Sequence, residues 1–290
     1  MFDPEHPTLK ARIASGECLA VSWLALGSVA VADAAARARP DAIVIDMQHG
    51  LWERRDLEAA IGLVPSHIPV IVRVAENTAL AIGTALDAGA EGVMVPMVET
   101  AAQARQSVAF AKYPPHGMRS GGGVRPLQNF PAYVKGASEL AVIAMVETAA
   151  GLANARAISR VKGLDMVFIG TGDLALSLGT FGGSPLKHIQ ACAEIQRMCK
   201  AAGVACGTFT GSLAAAVAQQ ALGFGMVVVA NDMDVVSQGF AGASAGFHQA
   251  LGTAPGTPLE RVGPAKKRAM PAAKAVAKGA GKRQPARPAH

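Results

Sequence analysis

Two acidic residues occupy positions where metal-assisted chemistry is expected. Glu147 ends the apolar run AVIAMVE, and Asp173 closely follows the apolar run MVFIG. If both runs are neighbouring strands of a parallel sheet, their carboxylates lie at the same edge of that sheet. Hard divalent cations prefer oxygen ligands and keep positions open for water or a small molecule. The pair therefore predicts a divalent metal site, for which Mg²⁺, Mn²⁺ and Co²⁺ are equally suitable.

Further reactive side chains follow two other apolar runs. The run ending in IDMQHG presents Asp46, Gln48 and His49, and the run VIVRV presents Arg73. Taken singly, His49 is compatible with a structural histidine, and Arg73 with an ion-pair partner of Asp46 or Glu76. Together with two metal-binding carboxylates, an imidazole and a fixed cation are what proton transfer beside a carbonyl requires.

The elements that must position these residues form an eightfold repeat. Apolar runs without polar alternation, typical of parallel strands buried on both faces, cover Glu17–Leu26, Asp41–Gln48, Pro69–Ala75, Gly92–Val98, Ala141–Glu147, Asp165–Gly170, Val204–Phe209 and Met226–Ala230. Helical patterns cover Val29–Ala38, Asp56–Val64, Ala79–Ala88, Ala101–Lys112, Ala149–Arg160, Ile189–Ala202, Ser212–Leu222 and Val235–Leu251. The repeat predicts an α/β fold, a (β/α)8 TIM barrel. A doubly wound open sheet gives nearly the same pattern and stays open as the alternative.

Composition fits one soluble domain followed by a basic tail. The chain has 290 residues, 51% of them hydrophobic, and residues 1–251 suit a single barrel. No apolar run reaches membrane-spanning length and the N-terminus lacks a signal-peptide pattern, so we expect a cytoplasmic protein without membrane contact. Residues 252–290 hold nine Lys or Arg and one Glu, a net charge of +8 against +6 for the whole chain. They predict a disordered tail that binds polyanions at most weakly.

Six motifs, in chain order, resemble those of the HpcH/HpaI class II aldolases. They are DAIVIDMQHG, VIVRV, DAGAEGVMVPMVET, YPPHGMRSGGG, VETAAGLAN and FIGTGDLALSLG. The resemblance implies a metal-dependent aldolase that cleaves or forms 4-hydroxy-2-oxo acids, with pyruvate and an aldehyde as the other reactants. It thus implies a carbon–carbon lyase. The cation, and not a lysine imine, would take up the developing charge, in agreement with the absence of lysine from the predicted strand ends.

The resemblance also implies roles for the reactive residues. Glu147 and Asp173 would bind Mg²⁺, Mn²⁺ or Co²⁺, and pyruvate would chelate that ion. His49 would be the acid and base, Arg73 would hold the keto oxygen, and Asp46 would orient the imidazole.

Substrate contacts are implied at two further places. Backbone amides of Gly170, Thr171 and Gly172 would receive the pyruvate carboxylate, and Gln48 would contact the substrate. The glycine-rich loop Tyr113–Tyr133 is expected to close over the site and offer Arg119 to an acidic substrate end; surface charge is the simpler alternative for that arginine.

The chain departs from the family pattern within the predicted site. Gln48 stands where many members have Glu, Met145 where many have Gln, and Thr171 where Pro is usual. Gln48 keeps hydrogen-bonding capacity but loses charge, whereas a thioether cannot orient water or hold a substrate oxygen as an amide does. Substrate preference and rate are therefore expected to differ from those of typical members.

The resemblance also implies an oligomeric state, and two other functions stay open. Relatives form hexamers, often with exchange of the C-terminal helix, so a homo-hexamer is implied and segment Val235–Leu251 suits such exchange. Asp87 would lie near the subunit interface. One alternative function is an acyl-CoA thioester lyase of the citryl-CoA or malyl-CoA type. The other is a non-catalytic barrel that binds a keto acid.

Overall fold

A computed structural model describes residues 5–183 and 185–256. Within these residues, eight parallel strands form a closed barrel in chain order, and β8 pairs with β1. The strands are β1 Leu19–Leu24, β2 Ala42–Asp46, β3 Val70–Arg73, β4 Gly92–Val95, β5 Ala141–Val146, β6 Met166–Ile169, β7 Ala205–Thr208 and β8 Met226–Asn231. The predicted TIM barrel is confirmed, and closure between β8 and β1 rules out the open sheet.

Helices alternate with the strands, and many begin at a Ser or Thr. Hydroxyl oxygens of Ser28, Thr78, Thr100, Thr148 and Ser212 each accept a backbone N–H three residues on. The helices are α1 Leu9–Ala14, α2 Val29–Arg37, α3 Arg54–Leu63, α4 Ala79–Asp87, α5 Ala101–Ala111, α6 Val124–Leu127, α7 Phe130–Gly136, α8 Ala149–Ile158, α9 Thr171–Ser177, α10 Pro185–Ala202, α11 Leu213–Ala221 and α12 Asp232–Ala250. The sequence pattern did not predict α1, α6 or α7.

Two buried layers explain why the strands lack polar alternation. Side chains such as Val21, Ile71 and Phe168 form a cluster inside the barrel, while Ile43 and Val72 belong to a second cluster shared with helix residues. Leu9 from α1 joins the inner cluster. A side chain at Gly92, where β4 begins, would collide with it. Helix α1 therefore covers the end of the barrel at which the strands begin.

The segment between α5 and β5 corrects the expectation of a lid over the site. It contains α6, α7 and the 3₁₀ helix Ala137–Glu139. Helix α5 runs back to the end of the barrel at which β5 begins. This connection therefore lies at the N-terminal end of the barrel, opposite the face where barrel active sites form. Lys112 fastens it there, donating to the carbonyl oxygen of Leu140 over 2.5 Å. Within its own chain, the segment cannot cover residues at the other end.

The chain divides into two compact units, residues 1–241 and 242–290. The first holds the barrel. In the described part of the second, α12 ends and the imidazole of His248 hydrogen-bonds the hydroxyl of Thr253 over 2.9 Å. The predicted boundary after residue 251 stays a prediction, and residues 257–290 of the predicted tail lie outside the described residues. Among the helices described, none is long and apolar enough to cross a membrane.

Candidate active site

A cavity of about 270 Å³ opens at the C-terminal ends of the barrel strands. The five residues predicted to carry chemistry all line it: Asp46, His49, Arg73, Glu147 and Asp173. The turn Gly170–Gly172 lines it too, whereas Gln48 and Arg119 do not. A larger cavity of about 540 Å³ lies near the start of β3 and contains none of the predicted site residues. The chemistry predicted from sequence therefore converges on the smaller cavity.

Asp46 and Arg73 form a buried ion pair at the ends of neighbouring strands. The guanidinium Nε donates to Asp46 Oδ1 over 2.8 Å, and Nη2 donates to Oδ2. Trp23 Nε1 also donates to Oδ2 over 3.3 Å, and the guanidinium carbon lies 5.0 Å from the centre of the Trp23 ring. Bidentate pairing and stacking fix the guanidinium in one orientation. Arg73 is thus a rigid cation in the cavity wall.

The remaining bonds of Asp46 are to backbone. Its Oδ1 accepts the N–H groups of Gln48 over 3.0 Å and His49 over 3.2 Å. Burial acts to raise the pKa of Asp46, but the bonds and charge of Arg73, with these two N–H groups, lower it overall. Between described residues no bond joins Asp46 to the His49 ring, which stands exposed. Asp46 holds Arg73 and the turn that carries His49, and does not contact the imidazole directly.

The Glu147 carboxylate is buried, and one of its two oxygens accepts a hydrogen bond. Its Oε1 accepts the Met97 backbone N–H over 2.6 Å, while its buried Oε2 has no hydrogen-bond partner among the described residues. Met97 adopts a left-handed conformation, with φ of 56°, which is uncommon for a residue other than glycine. Burial is the main cause that raises the pKa of Glu147; the Met97 N–H opposes it and the nearby Asp173 carboxylate adds to it. A cation beside these carboxylates would offset both the burial of the Glu147 charge and its repulsion by Asp173.

Gly170 provides room for the Glu147 carboxylate. A Cβ built on Gly170 would lie 2.2 Å from Glu147 Oε2 and 2.8 Å from Glu147 Cβ. We expect Gly170→Ala to displace Glu147 and lower kcat/KM by about 10²-fold, the scale of a small misplacement of catalytic groups. Steady-state kinetics and a thermal unfolding curve check this result. Gly83→Ala, on α4, is the matched control, because a Cβ there meets no atom within 4 Å and Gly83 does not line the cavity; equal losses in both variants would contradict the account.

Aromatic residues of the cavity were missed by the sequence reasoning. The Trp23 ring lies 5.9 Å from the Phe168 ring and meets the Phe209 ring edge-on at 5.4 Å, between centres. Asn231, the last residue of β8, and Met233, in α12, complete that side. Trp23, Phe209 and Asn231 lie at or next to the ends of β1, β7 and β8, and these positions in the sequence are the signal by which they could have been found.

Comparison with known proteins agrees with the motifs. A family model for HpcH/HpaI aldolase/citrate lyase matches residues 19–238. The chain belongs to this HpcH/HpaI family. It is 36% identical over 233 residues to a 4-hydroxy-2-oxovalerate aldolase of Rhodococcus jostii (strain RHA1), covering 78% of this chain and 90% of that protein. It is 38% identical over 224 residues to a hydroxypyruvate/pyruvate aldolase of Rhizorhabdus wittichii, covering 74% and 88%.

A solved structure agrees with the sequence relatives. The HpcH/HpaI aldolase/citrate lyase family protein from Burkholderia cenocepacia J2315 superposes with a TM-score of 0.77 at 33% identity. The match covers 81% of this chain and 96% of that one. Because the relatives are named aldolases, the predicted enzyme class, a carbon–carbon lyase, is confirmed.

Arg119 of this HpcH/HpaI family member lies far from the cavity within its own chain. Its Nη2 donates to Asp87 Oδ1 and to the Tyr133 hydroxyl, each over 2.6 Å, and its guanidinium carbon lies 4.8 Å from the centre of the Tyr113 ring. The side chain is only 1% exposed. Since Arg119 belongs to the connection at the N-terminal end, the structure does not bring it to the other predicted site residues.

Gln48 follows β2 but also stays outside the cavity lining. Its Oε1 is buried and has no partner among the described residues. A substrate contact from Gln48 therefore stays a prediction. Met145, in contrast, lines the cavity with a buried side chain and places a thioether beside Glu147.

Proposed function

We propose that this protein is a divalent-metal-dependent aldolase that cleaves or forms a 4-hydroxy-2-oxo acid, with pyruvate and an aldehyde as the other reactants. The observation that carries the proposal is the buried, unpartnered Oε2 of Glu147 beside Asp173, in a cavity that also holds Arg73 and His49. The named activities of the Rhodococcus and Rhizorhabdus relatives support this substrate class.

The residues present fit a metal ion held by two protein ligands. The described part of the chain holds no group of three or more His, Cys, Asp or Glu suited to a metal. Two protein carboxylates leave positions that water or substrate would take. Glu147 and Asp173 would hold Mg²⁺, Mn²⁺ or Co²⁺. When bound, such a cation supplies a Lewis acid that withdraws charge from a keto oxygen.

Arg73 would stabilise negative charge on the keto oxygen of pyruvate. Its Nε and one N–H of Nη2 bind Asp46, which leaves Nη1 available to the cavity. A cation already held in place by Asp46 and Trp23 needs little reorganisation as charge develops.

His49 would move the proton between the substrate C4 hydroxyl and water. Its ring is exposed at the cavity, while its backbone is held by Asp46. Cleavage requires removal of the C4 hydroxyl proton as the bond between C3 and C4 breaks, and later protonation of C3. An imidazole serves both steps near neutral pH.

The cavity wall disfavours the thioester lyase. Among the described residues that line the cavity, Arg73 is the only Arg or Lys, and Asp46 already pairs with it. The phosphate groups of CoA require exposed basic side chains near the mouth. A pyruvate aldolase has no such requirement.

Assembly as a homo-oligomer is part of the proposal. Large apolar side chains stand exposed on the outer helices, including Ile189 on α10 and Val217 on α11 at about 60% exposure each. Exposed apolar side chains that cluster are typical of interaction sites, and we propose these helices as the place of subunit contacts. The hexameric state, the cytoplasmic location and weak binding of polyanions by the tail stay predictions.

Pyruvate release from a panel of 4-hydroxy-2-oxo acids tests the proposed activity. Release is followed by coupling to lactate dehydrogenase, with EDTA or with added Mg²⁺, Mn²⁺ or Co²⁺. We expect release only with metal. Absence of release from every substrate with metal present would instead direct attention to the thioester lyase or the non-catalytic barrel.

Metal affinity should fall on acidification. Burial raises the pKa of Glu147 above its ordinary value of 4.5, so protons compete with the cation at a higher pH than they would at an ordinary carboxylate. Isothermal titration with Mn²⁺ at several pH values between about 5 and 8 measures the effect. An affinity that stays constant until the pH reaches the ordinary glutamate range would contradict it.

A further inference from the structure

His188, on α10, contacts the backbone of the turn that carries Asp173. Its Nε2 lies 3.0 Å from the carbonyl oxygen of Thr171, and Cys192 Sγ lies 3.8 Å from the same nitrogen. Burial raises the pKa of the Cys192 thiol to about 11, so the thiol is neutral near pH 7. A carbonyl oxygen can only accept a hydrogen bond. The Nε2 atom of His188 therefore carries the proton and is the hydrogen-bond donor to the Thr171 carbonyl.

This bond fixes the peptide unit that leads into Asp173. The peptide between Thr171 and Gly172 is planar, so holding its oxygen sets the orientation of the whole unit. Gly172 lacks a side chain, and a Cβ there would meet no atom within 4 Å. The backbone of α9 restrains this position, but Gly172 adds no side-chain contact of its own, so the His188 bond is an additional restraint on the first turn of the helix. All three residues, Thr171, Gly172 and Asp173, line the active cavity.

Helix α9 receives a second bond from α10 at its far end. Lys187 Nζ donates to the carbonyl oxygen of Leu178 over 3.1 Å. Adjacent side chains of α10 thus hold opposite ends of the seven-residue helix Thr171–Ser177. The Lys187 bond tethers the same helix without reaching the cavity.

We propose that His188 is a positioning residue for Asp173 in the two-carboxylate metal site. The proposal rests on the proposed function, because it requires Glu147 and Asp173 to share a cation. His188 does not line the cavity that holds them. It acts through the Thr171 carbonyl, as outer partners orient metal ligands in other sites.

Mn²⁺ binding by the full chain tests the proposal. Isothermal titration compares the wild type with His188→Leu, His188→Gln and Lys187→Met. Loss of an outer partner typically weakens metal binding by about 10–100-fold, and we expect that loss in His188→Leu. The amide of His188→Gln still donates and should regain most of the affinity, whereas Lys187→Met should bind Mn²⁺ like the wild type.

Each other outcome decides against the proposal. Wild-type affinity in His188→Leu, or an equal loss in Lys187→Met, would mean that His188 only tethers α9. If His188→Leu does not fold, His188→Asn removes the bond with a shorter polar side chain and takes its place. Wild-type protein that binds no Mn²⁺ overturns both the metal site and this inference, whereas pyruvate release with Mn²⁺ and unchanged binding in His188→Leu overturns the inference alone.

Discussion

Glu147→Gln is expected to lower kcat/KM for pyruvate release by at least about 10³-fold, roughly 4 kcal/mol of transition-state stabilisation. The amide keeps the shape of the side chain and can still accept the Met97 N–H, but it does not bind a hard cation as a carboxylate does. Steady-state kinetics with saturating Mg²⁺ or Mn²⁺ measure the loss.

The same change should not lower stability in metal-free buffer near neutral pH. The folded pKa of Glu147 is raised, so the fold binds this proton more tightly than the unfolded chain does. Glu147 therefore contributes least to the free energy of unfolding at a pH above the pKa that it has in the folded protein. A neutral amide removes that penalty, and the melting temperature should match or exceed that of the wild type. A large loss of stability, or retention of activity, would contradict the role given to Glu147.

Arg73→Met is expected to lower both stability and activity. Breaking a buried pair leaves the Asp46 carboxylate without its counter-ion, which costs about 3–5 kcal/mol of unfolding free energy. Removal of a donor aimed at developing charge costs about 10²–10³-fold in kcat. Denaturant unfolding and kinetics well below the melting temperature separate the two effects.

Two further variants keep the Arg73 result interpretable. Arg12 pairs with Glu17 and Asp41 over 2.5 and 3.0 Å, away from the cavity lining. Arg12→Met should lose stability but keep its kcat. Asp46→Leu combined with Arg73→Met should recover part of the stability, since the Gln48 and His49 N–H groups still lose their acceptor, without recovering activity. Normal turnover in folded Arg73→Met would show that Arg73 has only a structural role.

The barrel was predictable because its signals are local and repeated. Most strands are predominantly apolar on both faces, and Ser or Thr begins many of the helices, as at Thr78 and Thr148. The strand-end positions of Glu147 and Arg73 then follow from topology alone, because parallel strands all end at one face.

Other parts of the site depend on contacts between distant residues. The placement of Arg119 could not be read from its motif, since the decisive fact is that α5 returns the chain to the opposite end of the barrel. The sequence did not show which side chain binds Asp46, because Arg73 and the His49 ring both lie within reach of a strand-end carboxylate. The short helix α9 has no periodic pattern long enough to recognise, and its contact with His188 joins residues 17 positions apart.

Exchange of the methyl protons of pyruvate in D₂O, followed by proton NMR, tests the central claim most directly, because it needs no knowledge of the aldehyde. The account predicts exchange that requires Mg²⁺, stops with EDTA and is absent in Glu147→Gln. Exchange that continues unchanged in Glu147→Gln, or no exchange by the wild type with any of Mg²⁺, Mn²⁺ and Co²⁺, would contradict the assignment of this cavity as a metal-dependent pyruvate site.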